Sequence, residues 1–256
     1  GYFTYSRFGE VLLFLCLKKL VLARLYYYEI DSLTIIKEAI NNDFGVDKMS
    51  VKNILEKRRS VRHYDSSYKI SSEILTSLIE GASKSPNGNN IQATRYLIID
   101  DPDLRSLLLP IAFNQQQVVE ASALIVMLGD YQAFEKDNII KIHEEGFQAG
   151  FFDEALRDYL ANAAVKYYEN KSNEDLKLEL IRDVSLASMS LILLANEAGF
   201  ETITMSGYDS KKLKAILNIS ERYLDVMLIA IGKGTKAGHN TVRHNVNKVM
   251  HRNIII

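Results

Sequence analysis

Leu124-Ile125-Val126-Met127-Leu128 is five apolar residues with no polar alternate. A strand solvated on one face alternates, whereas an unbroken run of this length fits a strand covered on both faces, so it predicts a central strand. Upstream, Tyr96-Leu97-Ile98-Ile99-Asp100 predicts a short buried strand, and Asp101-Pro102-Asp103 then opens a helix with proline in its first turn. Earlier still, Ser71-Ser72-Glu73-Ile74 precedes apolar Ile74, Leu75, Leu78 and Ile79, a 3/4 spacing behind a capping serine. That helix should run to about Lys84 and stop at Ser85-Pro86-Asn87-Gly88, where proline and Asn-Gly disfavour it. Downstream, residues 150–170 and 174–198 read as helices. The second carries Leu186, Met189, Leu191, Ile192, Leu193 and Leu194 with hardly a polar face, which predicts burial all round. Strands at Thr202 to Met205 and Val226 to Ile231, with a helix from Asp209 between them, complete a layered α/β or α+β domain.

The 256 residues are 47% hydrophobic and 25% charged, a globular composition that excludes disordered and fibrous classes. Lys+Arg 31 against Asp+Glu 32 gives a net charge of -1, so no global field draws in nucleic acid or an anionic membrane, and neither partner is expected. The single cysteine, Cys16, cannot form an internal disulfide or supply a multi-cysteine metal site, which fits a cytoplasmic location. Within residues 1–48 the apolar stretch Val11 to Leu25 is interrupted by Lys18, Lys19 and Arg24, too charged for a bilayer span, and Glu10 stands where a signal peptide needs cations. The text changes at Met49, with Ser50 placed to cap a first helix. We read Met49 as the biological start of a domain at 49–256 and residues 1–48 as an N-terminal extension of translated upstream sequence. Gly45-Val46-Asp47-Lys48 can be encoded with a ribosome-binding GGAG just before the Met49 codon. The alternative is a genuine helical extension, and the intact mass of the endogenous protein decides between them.

No Gly-x-Gly-x-x-Gly or Gly-x-x-x-x-Gly-Lys-Ser/Thr is present, so neither a dinucleotide-binding turn nor a P-loop is indicated. His63, His143, His239, His244 and His251 lack a metal-ligand spacing, and Met205-Ser206-Gly207 falls short of a nucleophile elbow. Three polar clusters remain. Arg58-Arg59-Ser60-Val61-Arg62 could clamp a phosphate, since guanidinium forks match its oxygens, although basic runs also merely offset a helix dipole. Ser85-Pro86-Asn87-Gly88-Asn89-Asn90-Ile91-Gln92 is a turn crowded with amides, otherwise a plain loop. Asn114-Gln115-Gln116-Gln117 could hydrogen-bond the edge of a planar heterocycle, or simply cap a helix.

In this order, with Thr204-Met205-Ser206-Gly207-Tyr208-Asp209 and Ile231-Gly232-Lys233-Gly234 followed by Arg243, the clusters resemble the FMN-dependent nitroreductase family from Met49 to about Met250. The resemblance implies an α+β fold, a central mostly antiparallel sheet flanked by helices, in a dimeric three-layer architecture with one FMN per site at the subunit interface. By position, Arg58, Ser60 and Arg243 look like the phosphate and ribityl clamp, and Arg59 and Arg62 like residues facing the ribityl chain and pyrimidine edge. Asn114 and Gln117 match positions bonding the flavin ring. Pro86, Asn87, Gly88 and Asn90 match a loop given by the partner subunit, and Met205, Ser206 and Gly207 a strand end near N5 and O4. Ala93-Thr94 replaces the usual Pro-aromatic pair, and Thr241 stands where a second cationic phosphate ligand is common.

The implied activity is hydride transfer from NADH or NADPH through FMN to a nitroaromatic or quinone acceptor in a ping-pong cycle. The flavin would be the only reacting group, with Arg62 stabilising charge near N1 and O2, and no metal is called for. An ene-reductase or reductive dehalogenase of the same family, with residues 131–173 as a lid, is one alternative; a non-catalytic flavin-binding module is another.

Overall fold

The computed structural model describes residues 50–255, so the expectation for residues 1–48 lies outside the described residues. Ser50 caps α1 (Val51–Lys57) by accepting the Asn53 N–H at 3.2 Å. Ser71 does the same for α2 (Ser72–Ala82), and Asp101 accepts two N–H groups, at 2.8 and 2.9 Å, to start α3 (Pro102–Leu108). A four-residue α4 (Gln117–Glu120), α5 (Lys136–Gln148), α6 (Glu154–Glu169), α7 (Asn173–Glu197) and α8 (Ser210–Leu217) follow. The strands are β1 (Thr94–Ile99), β2 (Ala123–Asp130), β3 (Glu201–Met205) and β4 (Tyr223–Gly232).

The strands pair antiparallel throughout in the order β1-β2-β4-β3, with Leu97 opposite Val126 and Ile203 opposite Ala230. Every residue of β2 is buried, as its unbroken apolar run requires. The period of two divides it between two cores. Leu124, Val126 and Leu128, with Leu228 and Ala230, meet Leu108 of α3 and Leu213 of α8. Ile125 and Met127, with Ile229 and Ile231, meet Leu75 and Leu78 of α2 and Val184, Leu191 and Ala195 of α7. The sheet is thus the middle of three layers, in agreement with the expected α+β arrangement.

Three expectations need correction. β1 is an edge strand and only Ile99 is fully buried, because one side has no strand neighbour. The helix expected from 150 starts at Glu154, since Gly150 adopts φ +76, a left-handed C-terminal turn that ends α5. α7 is not buried all round within one chain: Leu178, Ile181 and Leu186 are 53%, 37% and 43% exposed. Beyond β4 the chain continues as an exposed tail, with Val242 95% and Ile255 81% exposed.

Candidate flavin cleft

α1 ends at Arg58, whose extended backbone (ψ 132) turns the chain toward the edge strand β3. There Ser60 bridges Thr202 in parallel fashion and the Val61 N–H donates to the Thr202 carbonyl at 3.2 Å. The tail returns over this segment at Gly238, where a Cβ would lie 2.6 Å from the Ser60 carbonyl oxygen, so only glycine permits the crossing without displacement. The crossing delivers Arg243 to the same side as Arg58. A cleft of about 560 Å³ results, with Arg58, Ser60 and Arg243 at its polar end. Thr202, Ile203, Thr204 and Met227 form its sheet side, and Ser185, Ser188, Met189 and Ile192 its α7 side.

Among the described residues no carboxylate lines this cleft. Arg95, Arg157, Arg182 and Arg222 elsewhere each hold an Asp or Glu, the last bidentate to buried Asp130 at 2.7 Å on both oxygens. The Arg58 guanidinium has no ion pair or hydrogen bond among the described residues. Among the described residues Arg243 bonds only Thr241 Oγ1 and the Val242 carbonyl, each at 2.8 Å. Two cations without counter-charge among the described residues, a hydroxyl, and a wall that mixes Thr202, Thr204, Ser185 and Ser188 with Ile203, Met227, Met189 and Ile192 fit a ligand that carries both a phosphate and an aromatic ring.

The remaining sequence-derived residues distribute in three ways. Arg59 turns away, its Nη1 donating to the carbonyls of Glu56 (2.8 Å) and Arg58 (2.9 Å). Arg62 is exposed, its Nη1 3.5 Å from the Ser60 carbonyl, and it does not line the cleft. Asp65 is not its partner, being occupied by Ser67 at 2.9 Å (N–H) and 2.5 Å (Oγ). The amide run and the strand end do come together: Gln115 Nε2 donates to the Gly207 carbonyl at 2.9 Å, and Gln117 Nε2 donates to Gln115 Oε1 at 3.0 Å. Gln117 and Met205 are buried, while Asn114, Ser206 and Gly207 are exposed. Gln115, the link, was not singled out by sequence reasoning, although its place inside the amide run was a signal.

The asparagine loop is held apart from the cleft. Asn89, Asn90 and Gln92 have φ of 49, 53 and 53, left-handed conformations that need support in residues other than glycine. Both Asp183 oxygens accept the Gly88 N–H at 3.2 Å, Asn89 Nδ2 donates to Tyr168 Oη at 3.1 Å, and Asn87 Oδ1 accepts the Gln92 N–H at 2.9 Å. Pro86 and Asn87 line a smaller cavity with Asp183 and Ala187, on a different side of α7 from Ser185, Met189 and Ile192. Asp183 was missed by the sequence reading; an acid within so apolar a helix was its only trace.

Burial pushes the Asp183 carboxyl above the usual range, the negative Glu179 adds to this, and the Gly88 N–H opposes it. For an acid raised in the folded state, the stabilising contribution is complete below the ordinary Asp value of about 3.9 and is lost as pH rises through the folded value. Asp183→Asn keeps an acceptor for Gly88 without the buried charge. Its melting temperature relative to the parent should therefore be higher at pH 7 than at pH 4. A difference that does not change with pH would remove Asp183 as a charged clamp.

A family model described as Nitroreductase family matches residues 55–233. The chain belongs to the nitroreductase family. Among its nitroreductase relatives is YodC of Bacillus subtilis, which carries the name of an NAD(P)H nitroreductase: 32% identical over 197 residues, covering 77% of this chain and 96% of YodC. The CLA biosynthesis enone reductase of Lactiplantibacillus plantarum is 30% identical over 215 residues, 82% of this chain and 94% of that protein. An Exiguobacterium sibiricum protein, described as a nitroreductase and solved in complex with FMN, superposes with a TM-score of 0.75 at 34% identity, covering 79% of this chain and 97% of that one. Among the described residues no helix is long and apolar enough to cross a membrane.

Proposed function

We propose that this nitroreductase-family chain is an FMN-dependent oxidoreductase that takes hydride from NADPH or NADH and passes it to a nitroaromatic or quinone acceptor, alternating donor and acceptor in one site. The carrying observation is the pair Arg58 and Arg243, which share one cleft and, among the described residues, have no carboxylate partner there. The FMN of the Exiguobacterium relative and the name of YodC support the choice of cofactor and donor. FMN, when bound, supplies the hydride-accepting centre and in its reduced form carries negative charge. Arg58, Arg243 and Ser60 would hold its phosphate. Ile203, Met227, Met189 and Ile192 would exclude water from the ring.

A homodimer in the cytoplasm completes the reading. The asparagine loop and the arginine cleft lie on different sides of α7, so both can serve one flavin only if a second copy lends its loop. Enone reduction is a second reading of the same site, favoured by the Lactiplantibacillus plantarum relative. Anaerobic rapid mixing with NADPH and with NADH tests the function: prompt bleaching of flavin absorbance is expected with at least one donor. Persistent yellow colour with both would leave only a flavin-holding module.

Arg62 keeps a separate, electrochemical role in this proposal. An exposed guanidinium with no carboxylate partner among the described residues is free to face the flavin of an assembled dimer. Arg62→Gln retains a donor and loses the charge, so flavin should stay bound while the two-electron potential falls by about 30 mV for each ~1.4 kcal/mol of lost differential interaction. Redox titration against a reference dye checks this, and an unchanged potential would take Arg62 out of the site.

A further inference from the structure

Beside the Asn89–Gln92 loop, between α5 and α6, lies a second cavity of about 400 Å³. Ile142, Phe151, Phe152 and Leu160 make its wall largely apolar, and one buried polar ring interrupts that wall. His143, only 7% exposed, lines the cavity, its Nδ1 2.8 Å from the Ile139 carbonyl one turn earlier. A carbonyl can only accept, so Nδ1 carries a proton, and in the neutral form of the ring Nε2 presents a lone pair. Nε2 has no hydrogen-bond partner among the described residues. Nor is it one of the sealed polar atoms lacking a partner, which are Tyr96 Oη and Arg105 Nε. The remaining exposure of the ring therefore includes Nε2, and the open space against the ring is this cavity.

We propose that the cavity binds a neutral phenol, a planar apolar ligand whose single hydroxyl donates to Nε2 of His143. The apolar wall favours an aromatic body. This buried acceptor demands a donor, because an ether or hydrocarbon of the same shape would strip water from Nε2 and return nothing, whereas Asn89, Asn90, Gln92 and Glu145, the other polar side chains lining the cavity, are exposed. Among the described residues no Lys or Arg lines the cavity and Glu145 does, which disfavours carboxylates and phenolates. That the cavity acts as an acceptor-side subsite of the flavin centre rests on the function proposed above; the cavity and its ligand class rest on this chain alone.

Calorimetric titration of the protein as purified, with 2-naphthol and with 2-methoxynaphthalene near neutral pH, tests the assignment. 2-Naphthol is expected to bind about tenfold more tightly, the equivalent of one net hydrogen bond. His143→Phe should bind both compounds equally, and His143→Gln, which can present its amide oxygen, should recover part of the preference. Equal affinities in the parent, binding of neither compound, or a preference that survives in His143→Phe would overturn the proposal. The parent comparison needs no variant to fold. Flavin absorbance read on the same samples separates the two readings: a colourless protein that still prefers 2-naphthol fails the flavin proposal and sustains this one.

Discussion

Arg58→Ala and Arg243→Ala are each expected to weaken FMN retention by roughly tenfold to a hundredfold, and the double variant should lose the flavin during gel filtration. A phosphate dianion needs charge-assisted partners, each worth about 1.5 to 3 kcal/mol, and ~1.4 kcal/mol is a factor of ten in affinity. Neither guanidinium is neutralised by a carboxylate among the described residues, so neither gives up an ion pair to one of them on binding the phosphate. Arg59 supplies the internal control. Its Nη1 is committed to the Glu56 and Arg58 carbonyls, so Arg59→Ala removes an equal charge one residue away while leaving the cleft lining intact. Fluorescence titration of flavin-free protein measures all of these variants. If Arg59→Ala and Arg58→Ala weaken binding equally, the effect is general electrostatics and the clamp is wrongly assigned.

Ile181→Asp with Leu186→Asp is expected to convert a dimer into a monomer and to lower flavin affinity at the same time. Leu178, Ile181 and Leu186 are exposed apolar residues of α7, and Val242, Val246, Val249 and Ile255 of the tail are exposed too. Each large aliphatic side chain removed from water contributes about 1.5 to 3 kcal/mol, and a carboxylate in its place adds a desolvation cost, so two such changes should weaken association a hundredfold or more. The cleft shares this helix, since Ser185 and Met189 line it. Light scattering reads the mass and absorbance the bound flavin. A parent that is monomeric with flavin bound would contradict the shared site, and a monomeric variant that holds flavin as tightly as the parent would show that one chain suffices.

Legibility in the sequence followed the range of each signal. Caps are local: Ser50, Ser71, Asp101 and Asp209 each accept an N–H two or three residues on, and each was readable or lay at the expected start. β2 was readable because full burial leaves an unbroken apolar run. α5 was not, because only Ile139 and His143 are buried in a segment otherwise rich in Lys, Asp and Glu. The exposure of α7 was misread for the opposite reason, since an apolar face awaiting a neighbour looks the same in sequence as one already covered. In the site, Arg58, Ser60 and Arg243 could be named from motif order, yet their meeting depends on the tail crossing at Gly238, which no local pattern encodes. Asp183 and Gln115 act on distant backbone groups, Gly88 and Gly207, so their roles required the fold.

The most direct test of the phosphate clamp is equilibrium titration of the flavin-free protein with FMN and with riboflavin, which share the ring and ribityl chain and differ only in the phosphate. One FMN per chain is expected, bound at least about a hundredfold more tightly than riboflavin, as two charge-assisted partners imply. That preference should collapse when Arg58 and Arg243 are both replaced by alanine. Riboflavin binding as tightly as FMN, or uptake of neither, would contradict it.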